Sequence, residues 1–382
     1  MGDTILKGIT WGHSRGITPL LAFSQRFMEL NPGVQVSWEK RSLQEFADFP
    51  IEKLALQYDL LIVDHPWVGC AAATGCVLPL DEYLPAAYLQ DQAANSVGHS
   101  HESYVYANHQ WALAIDAATP VASYRADLLQ ANNQPIPQNW EDVLHLAAKG
   151  KIAVPGIPID ILMNFYMFCI AAGTEPFISD DEVIDKNTGL AALELMRQLY
   201  SFVDKRMFQY NPIAVAEQMT TTDDYWYCPF AYGYSNYSRQ SYANHLLTYA
   251  DLVAYKNRPL QSTLGGTGLS VSATSKNIDT AIAFANDIVS GNCQSGLYVE
   301  NGGQPGHRSA WLGEHSNRLT NNFFSNTLPT LDRAFVRPRF NGYLHFQDTA
   351  GTPVREYLMS GGDAGKVLES INGMYCKSQV RS

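Results

Sequence analysis

Residues 12–16, Gly12-His13-Ser14-Arg15-Gly16, spell G-x-S-x-G. That pattern marks a sharp strand-to-helix turn that offers a serine hydroxyl as a nucleophile. Attack by serine requires a histidine base, an acid that orients it, and a framework ahead of the turn that supplies oxyanion donors. In this chain only thirteen residues precede Ser14, and no later strand-end Asp and His complete a triad. Ser14 is read as a loop residue and no catalytic residue is assigned. A second group, His99, His101, Glu102 and His109, has side chains that could ligate metal, but there is no H-E-x-x-H spacing or matching second half. It reads as a solvated loop, so neither a metal nor a cofactor is expected. "GGTG" at 265–268 precedes a strand instead of following one. "GGDAGKV" at 361–367 is too short for a phosphate loop and ends in Val367.

The elements around the serine explain the loop better. "DTILKGITW" reads as a strand. Thr18 is expected to cap a helix with Pro19 at its first position, and Leu20, Phe23, Phe27 and Leu30 form its apolar face. The helix stops at Asn31-Pro32-Gly33. "VQVSW" alternates as a strand, Ser42 to Glu45 form a capping box, and "YDLLIVD" is a fully apolar strand of a covered parallel sheet. This β-α-β-α-β order predicts an open α/β sheet, in which ligands bind outside the carboxyl ends of the strands. Three strand exits then gather Trp11, His13, Ser14, Arg15, Arg41, Asp64, His65 and Trp67. Such loops suit one wall of a polar-ligand cleft. The alternative is solvated charges with tryptophans covering the sheet edge.

Length and composition fit this picture. The 382 residues exceed one ordinary core and predict two lobes. Net charge is −11 and no basic run occurs, which argues against a nucleic-acid partner. No apolar run reaches the ~20 residues that cross a bilayer. "MGDTILKGITWG" lacks a secretory leader, so the expectation is either a leader removed from an exported protein, or a cytoplasmic protein starting at Met1. The six cysteines form no C-x-x-C pair. Cys169 and Cys228 read as buried small hydrophobes. Cys70 and Cys76 could pair in an oxidising compartment, whereas six unpaired thiols suit a reducing one.

In the second half, Asp160 is expected to cap the helix in "IPIDILMNFYMFCIAAG", with Leu162, Phe165, Tyr166 and Cys169 on its buried face. Asp160 and Asn164 are candidates to face a ligand. Tyr232, Tyr234 and Asn236 alternate at strand spacing and are expected to share a face. Their aromatic bodies and polar tips suit sugars, cations or flat aromatics. His307, Arg308, Arg337 and Arg339 are candidates for a cleft rim.

Six segments in order resemble the extracellular solute-binding proteins of ABC importers, the branch that includes maltose- and other sugar-binding proteins. They are "GITPLLAFSQRFMELNPGVQVSW", "YDLLIVDHPWVGCAAATGCVLPLDEYLP", "HQWALAIDAATPVASYRADLL", "IPQNWEDVLHLA", "TLGGTGLSVSATSKNIDTAIAFANDIVSG" and "NGGQPGHRSAW". The resemblance implies an α/β, two-lobe periplasmic-binding-protein fold of type II, a venus flytrap with hinge crossovers and a ligand cleft between its lobes. It implies crossings near 113–120, 261–267 and 307–313. The N-terminal lobe would hold 1–116 plus 263–309, and the C-terminal lobe 117–262 plus 310–382. Gly265, Gly266 and Gly268 fit a return strand that needs close backbone approach, and Gly266 joins the candidate ligand residues. The stretch "DDYWYCPFAYGYSNYSR" departs from the usual apolar run ending in "G.W", which leaves the ligand class open.

The expected function is the solute-binding component of an import system, a monomer that passes a small sugar-like or anionic solute to a membrane permease. Arg15, Arg41 and Arg308 favour an anionic or polyhydroxylated ligand over a long neutral oligosaccharide, because arginine forks suit carboxylate, sulfonate or phosphate. The alternative is a cytosolic sensor, carrier or enzyme of the same fold, in which His13, Asp64 and His65 supply acid–base chemistry.

Overall fold

A computed structural model describes residues 4–42 and 50–379. In chain order the main strands are β1 Thr4–Trp11, β2 Val34–Arg41, β3 Leu60–Val63, β4 Leu113–Ala118, β5 Pro120–Tyr124, β6 Tyr227–Tyr232, β7 Thr248–Ala250 and β8 Gly265–Val271. The principal helices are α1 Ser14–Leu30, α2 Val68–Thr74, α3 Pro158–Ala172, α4 Lys186–Tyr200, α5 Ile278–Ile288, α6 Tyr343–Ser360 and α7 Ala364–Gln379. The capping box expected at Ser42–Glu45 runs outside the described residues. No described helix is long and apolar enough to cross a membrane.

The chain divides into two compact units. Unit 1 takes residues up to 118, then 264–325 and 339–341; unit 2 takes 119–263, 326–338 and the chain from 342 on. The third passage therefore lies after residue 325, not near 307–313. Trp311, 1% exposed, holds the intervening stretch in unit 1 by packing edge-on against Phe324 at 5.0 Å.

Unit 1 is built on one sheet of order β2-β1-β3-β8-β4. β1 runs parallel to β2 and β3, whereas β8 is antiparallel to both β3 and β4. All four residues of β3 are buried, as the unbroken apolar run requires of a strand covered on both faces. Phe23 and Phe27 of α1 meet Phe284 of α5 edge-on at 5.0 and 5.2 Å. Leu30, expected on the same face, is 61% exposed because it closes the helix beyond the core. The helix also begins earlier than expected. His13, not Thr18, is its cap: the ring Nδ1 accepts the Arg15 N–H at 3.0 Å, and Pro19 lies inside the helix.

Unit 2 carries the antiparallel sheet β6-β5-β7. Ile152 bridges to Tyr227 in parallel, so the segment leading to α3 lies beside β6. Residues Asp160 to Cys169 of α3 are all buried, which explains why the helix reads apolar all round. α6 crosses its start closely: a Cβ on Gly351 would sit 2.0 Å from the Pro158 carbonyl oxygen. Pro158 opens α3 after Ile157, so Asp160 stands in the first turn and is not the cap.

Candidate functional site

In unit 1 the parallel strands β1, β2 and β3 end on one edge of the sheet. Trp11 and Arg41 are register partners there, and the Gly12 N–H donates to the Arg41 carbonyl at 2.8 Å. The β1 exit is tight because α1 starts against the indole: a Cβ on Gly16 would lie 2.5 Å from the Trp11 ring. His13 and Ser14 stand half-buried at this edge. Burial, then the charge of Arg15, holds the His13 imidazole down at about 4, so it is neutral near pH 7.

Arg15 is buried and paired within unit 1. Its Nε donates to Asp116 Oδ2 at 2.8 Å and its Nη2 donates to Oδ1, with Arg15 4% and Asp116 1% exposed. Burial pushes the Asp116 carboxyl up, and the two-pronged guanidinium contact pulls against it. Sequence reasoning passed over Asp116. The available signal was a lone carboxylate inside the apolar strand "LAIDAA", since a buried charge needs a partner.

The β3 exit is a 3-10 turn, His65–Trp67, capped by Asp64, whose Oδ1 accepts the His65 N–H at 2.9 Å. His65 is 1% exposed and meets Tyr104 edge-on; Trp67 is also buried. His13, Ser14, Arg41 and Asp64 are therefore the partly exposed members of this edge, and Trp11, Arg15, His65 and Trp67 lie beneath it.

Gly266 and His307 have structural explanations within unit 1. Gly266 has φ +98°, and a Cβ there would meet the Asp116 carbonyl oxygen at 2.3 Å. His307 is buried and caps a helix at Arg308–Leu312, its Nδ1 2.8 Å from the Ser309 hydroxyl. Arg308 donates to the Ser96 carbonyl at 3.3 Å. Arg339 Nη1 donates to the carbonyls of Glu102, Ser103 and Val105. His99 pairs with Glu102 and His109 with Asp81, each at 3.0 Å. Among the described residues no group of three or more His, Cys, Asp or Glu side chains is placed to hold a metal ion.

In unit 2, Tyr232, Tyr234 and Asn236 do not share a strand face. β6 ends at Tyr232, and the chain turns into a 3-10 helix, Ser235–Ser238, that buries Asn236. Tyr232 remains half-buried with its hydroxyl 3.1 Å from Thr263 Oγ1. Thr119 Oγ1 lies 2.7 Å from Ser262 Oγ and donates to the Thr263 carbonyl at 2.9 Å, which ties residues 119 and 262–263 together. Arg337 donates to Gln347 Oε1 at 2.7 Å. The first turn of α3 presents Asp160, 6% exposed, whose Oδ2 makes no hydrogen bond. Burial pushes its carboxyl up to about 8. One turn on, Asn164 Nδ2 donates to the Tyr200 hydroxyl at 3.2 Å, and Tyr200 donates to the Pro155 carbonyl at 3.1 Å.

Comparison with known proteins places this architecture. Residues 16–287 match the family described as bacterial extracellular solute-binding protein. No curated protein matches the chain by sequence. Among solved structures, maltose-bound MalE3 of T. maritima is similar at TM-score 0.85 and 16% identity, covering 98% of this chain and 99% of that one. A solute-binding protein of an ABC transporter from Agrobacterium radiobacter, in complex with ribitol, is similar at TM-score 0.82 and 18% identity, with 98% and 99% covered. UgpB of Mycobacterium tuberculosis, in complex with glycerophosphocholine, gives TM-score 0.78 and 16% identity over 100% and 99%. The fold is the two-lobe α/β fold of periplasmic solute-binding proteins.

Proposed function

Because the chain belongs to the bacterial extracellular solute-binding protein family, we propose that it captures a small, neutral, polyhydroxylated solute, a sugar or polyol, for an ABC permease. The observation that carries the choice of solute is the engagement of Arg15 by Asp116. The Arg15 guanidinium beneath the unit 1 edge already holds a carboxylate through Nε and Nη2, which supports a neutral solute over an anion. What remains at that edge is a neutral imidazole at His13, the Ser14 hydroxyl, and the Asp64 and Arg41 side chains. Such a mixture of donors and acceptors suits hydroxyl groups. Similar structures hold maltose and ribitol, which supports the same class here.

The proposed protein works outside the cytoplasm as a monomer and returns its solute unchanged. A thermal-shift panel tests the solute class, using sugars and polyols against sugar acids, phosphates and sulfonates. A neutral ligand at ~100 times its dissociation constant adds about 2.7 kcal/mol and raises the melting temperature. Stabilisation by acids alone would overturn the neutral-solute proposal. Mass spectrometry of the released compound distinguishes binding from turnover.

A further inference from the structure

We infer that the buried hydroxyls of Thr119 and Ser262 clamp two chain passages into one hinge element, so that the backbone rotation of opening and closing is confined to the links 118–119 and 263–265. The inference stands whichever solute the protein takes.

Unit 1 gives way to unit 2 after residue 118, and unit 2 gives way again after residue 263, so Thr119 and Thr263 are the unit 2 ends of two passages. Thr119 is the single residue between β4 and β5. Pro120 after it bars helical backbone at Thr119, which keeps that link extended. Thr119, Ser262 and Thr263 are 3%, 1% and 0% exposed. A hydroxyl buried that far needs a partner inside the fold.

Their protons can be assigned. The Ser262 hydroxyl donates to the Pro120 carbonyl at 2.8 Å, which leaves its oxygen to accept. The one Thr119 hydroxyl proton then lies between Ser262 Oγ at 2.7 Å and the Thr263 carbonyl at 2.9 Å. Each passage thus donates to the backbone of the other: Thr119 holds Thr263, and Ser262 holds Pro120. Three further contacts fix the clamp within unit 2. The Gly233 N–H donates to the Thr119 carbonyl at 3.3 Å, and the Phe335 N–H donates to the Ser262 carbonyl at 2.8 Å. The Tyr232 hydroxyl lies 3.1 Å from Thr263 Oγ1.

Within unit 1 the sheet joins the same two passages a second time, because Gly265 of β8 and Ala118 of β4 are register partners. Between the two joints remain the 118–119 peptide on one passage and Leu264 on the other. Gly266 follows at φ +98°, a backbone that favours a residue without Cβ. A few residues of this kind absorb the closure of two-lobe proteins. The clamp selects which ones and keeps 119 and 262–263 from turning separately.

Hydrogen exchange read by mass spectrometry on the purified full chain tests this. Thr119→Val and Ser262→Ala each remove one hydroxyl with little change of shape. Either variant should speed exchange about tenfold in peptides from both 113–124 and 258–271, the effect of losing one buried hydrogen bond. A peptide from α3 should keep its wild-type rate, and Thr119→Ser, which retains the donor, should match wild type throughout. Faster exchange in only one of the two segments, or in neither, would overturn the clamp. Faster exchange everywhere, α3 included, would also count against it, because the hydroxyls would then support the fold at large. If Thr119→Val does not fold, Ser262→Ala and Thr119→Ser carry the same comparison.

Discussion

The guanidinium of Arg15 and the carboxyl of Asp116 form a buried, two-pronged ion pair that joins the first turn of α1 to β4. The two residues are 101 positions apart in sequence. Their pair anchors the loop that carries His13 and Ser14, so it positions the candidate site without belonging to its surface.

Arg15→Met should therefore act on stability before affinity. Removing the cation leaves the Asp116 carboxyl buried alone, at a cost of about 3–5 kcal/mol. Pairing it with Asp116→Leu should return much of that loss, because an apolar pair of similar volume carries no desolvation penalty. Urea unfolding of the two variants and the wild type measures both effects. Unchanged stability in Arg15→Met would contradict the role given to the pair.

Asp160 makes stability fall as pH rises. Its carboxyl sits near 8 in the fold against 3.8 in the unfolded chain, so the native state holds a proton that the unfolded state releases. Stability is full below about pH 4, declines through neutrality and levels off above about pH 8, a loss on the order of a few kcal/mol. Asp160→Asn should flatten that profile and melt higher than wild type at pH 8. A variant that keeps the wild-type slope would show the slope to come from elsewhere.

His13 gives the opposite slope at lower pH. Held down at about 4 against 6.5 when unfolded, it contributes stability that is complete above pH 6.5 and is lost as pH falls through 4. His13→Asn should keep the helix cap while removing this acid sensitivity, and His13→Ala should lose the cap as well, at about 1 kcal/mol. Thermal melts between pH 4 and 7 separate the two variants.

The parts of the fold that were legible from sequence are those set by local pattern. The LLIV centre of "YDLLIVD" had to be a central strand because its four side chains are all apolar, and β3 is buried throughout. The α1 start was misplaced because a histidine ring nitrogen, not the hydroxyl of Thr18, accepts the first free N–H. The alternation of Tyr232, Tyr234 and Asn236 failed as a strand signal because the chain leaves the sheet after Tyr232. Site electrostatics were the least legible. Arg15 looked like a ligand fork in its own loop, and only the sheet brings Asp116 beneath it. Gly266 was correctly picked as a close-approach position, and the approach is to the Asp116 backbone.

The placement of β8 between β3 and β4 sets a timetable for synthesis. The unit 1 sheet lacks an interior strand until residue 271 has left the ribosome, although β4 is complete at residue 118. At ordinary elongation rates that interval is roughly 8–30 s. Throughout it, β3 and β4 each present an unpaired edge whose partner has yet to be made, the kind of exposed edge that invites pairing with another nascent chain. A β8 that arrives late but pairs on both sides then locks the N-terminal segment in a single step.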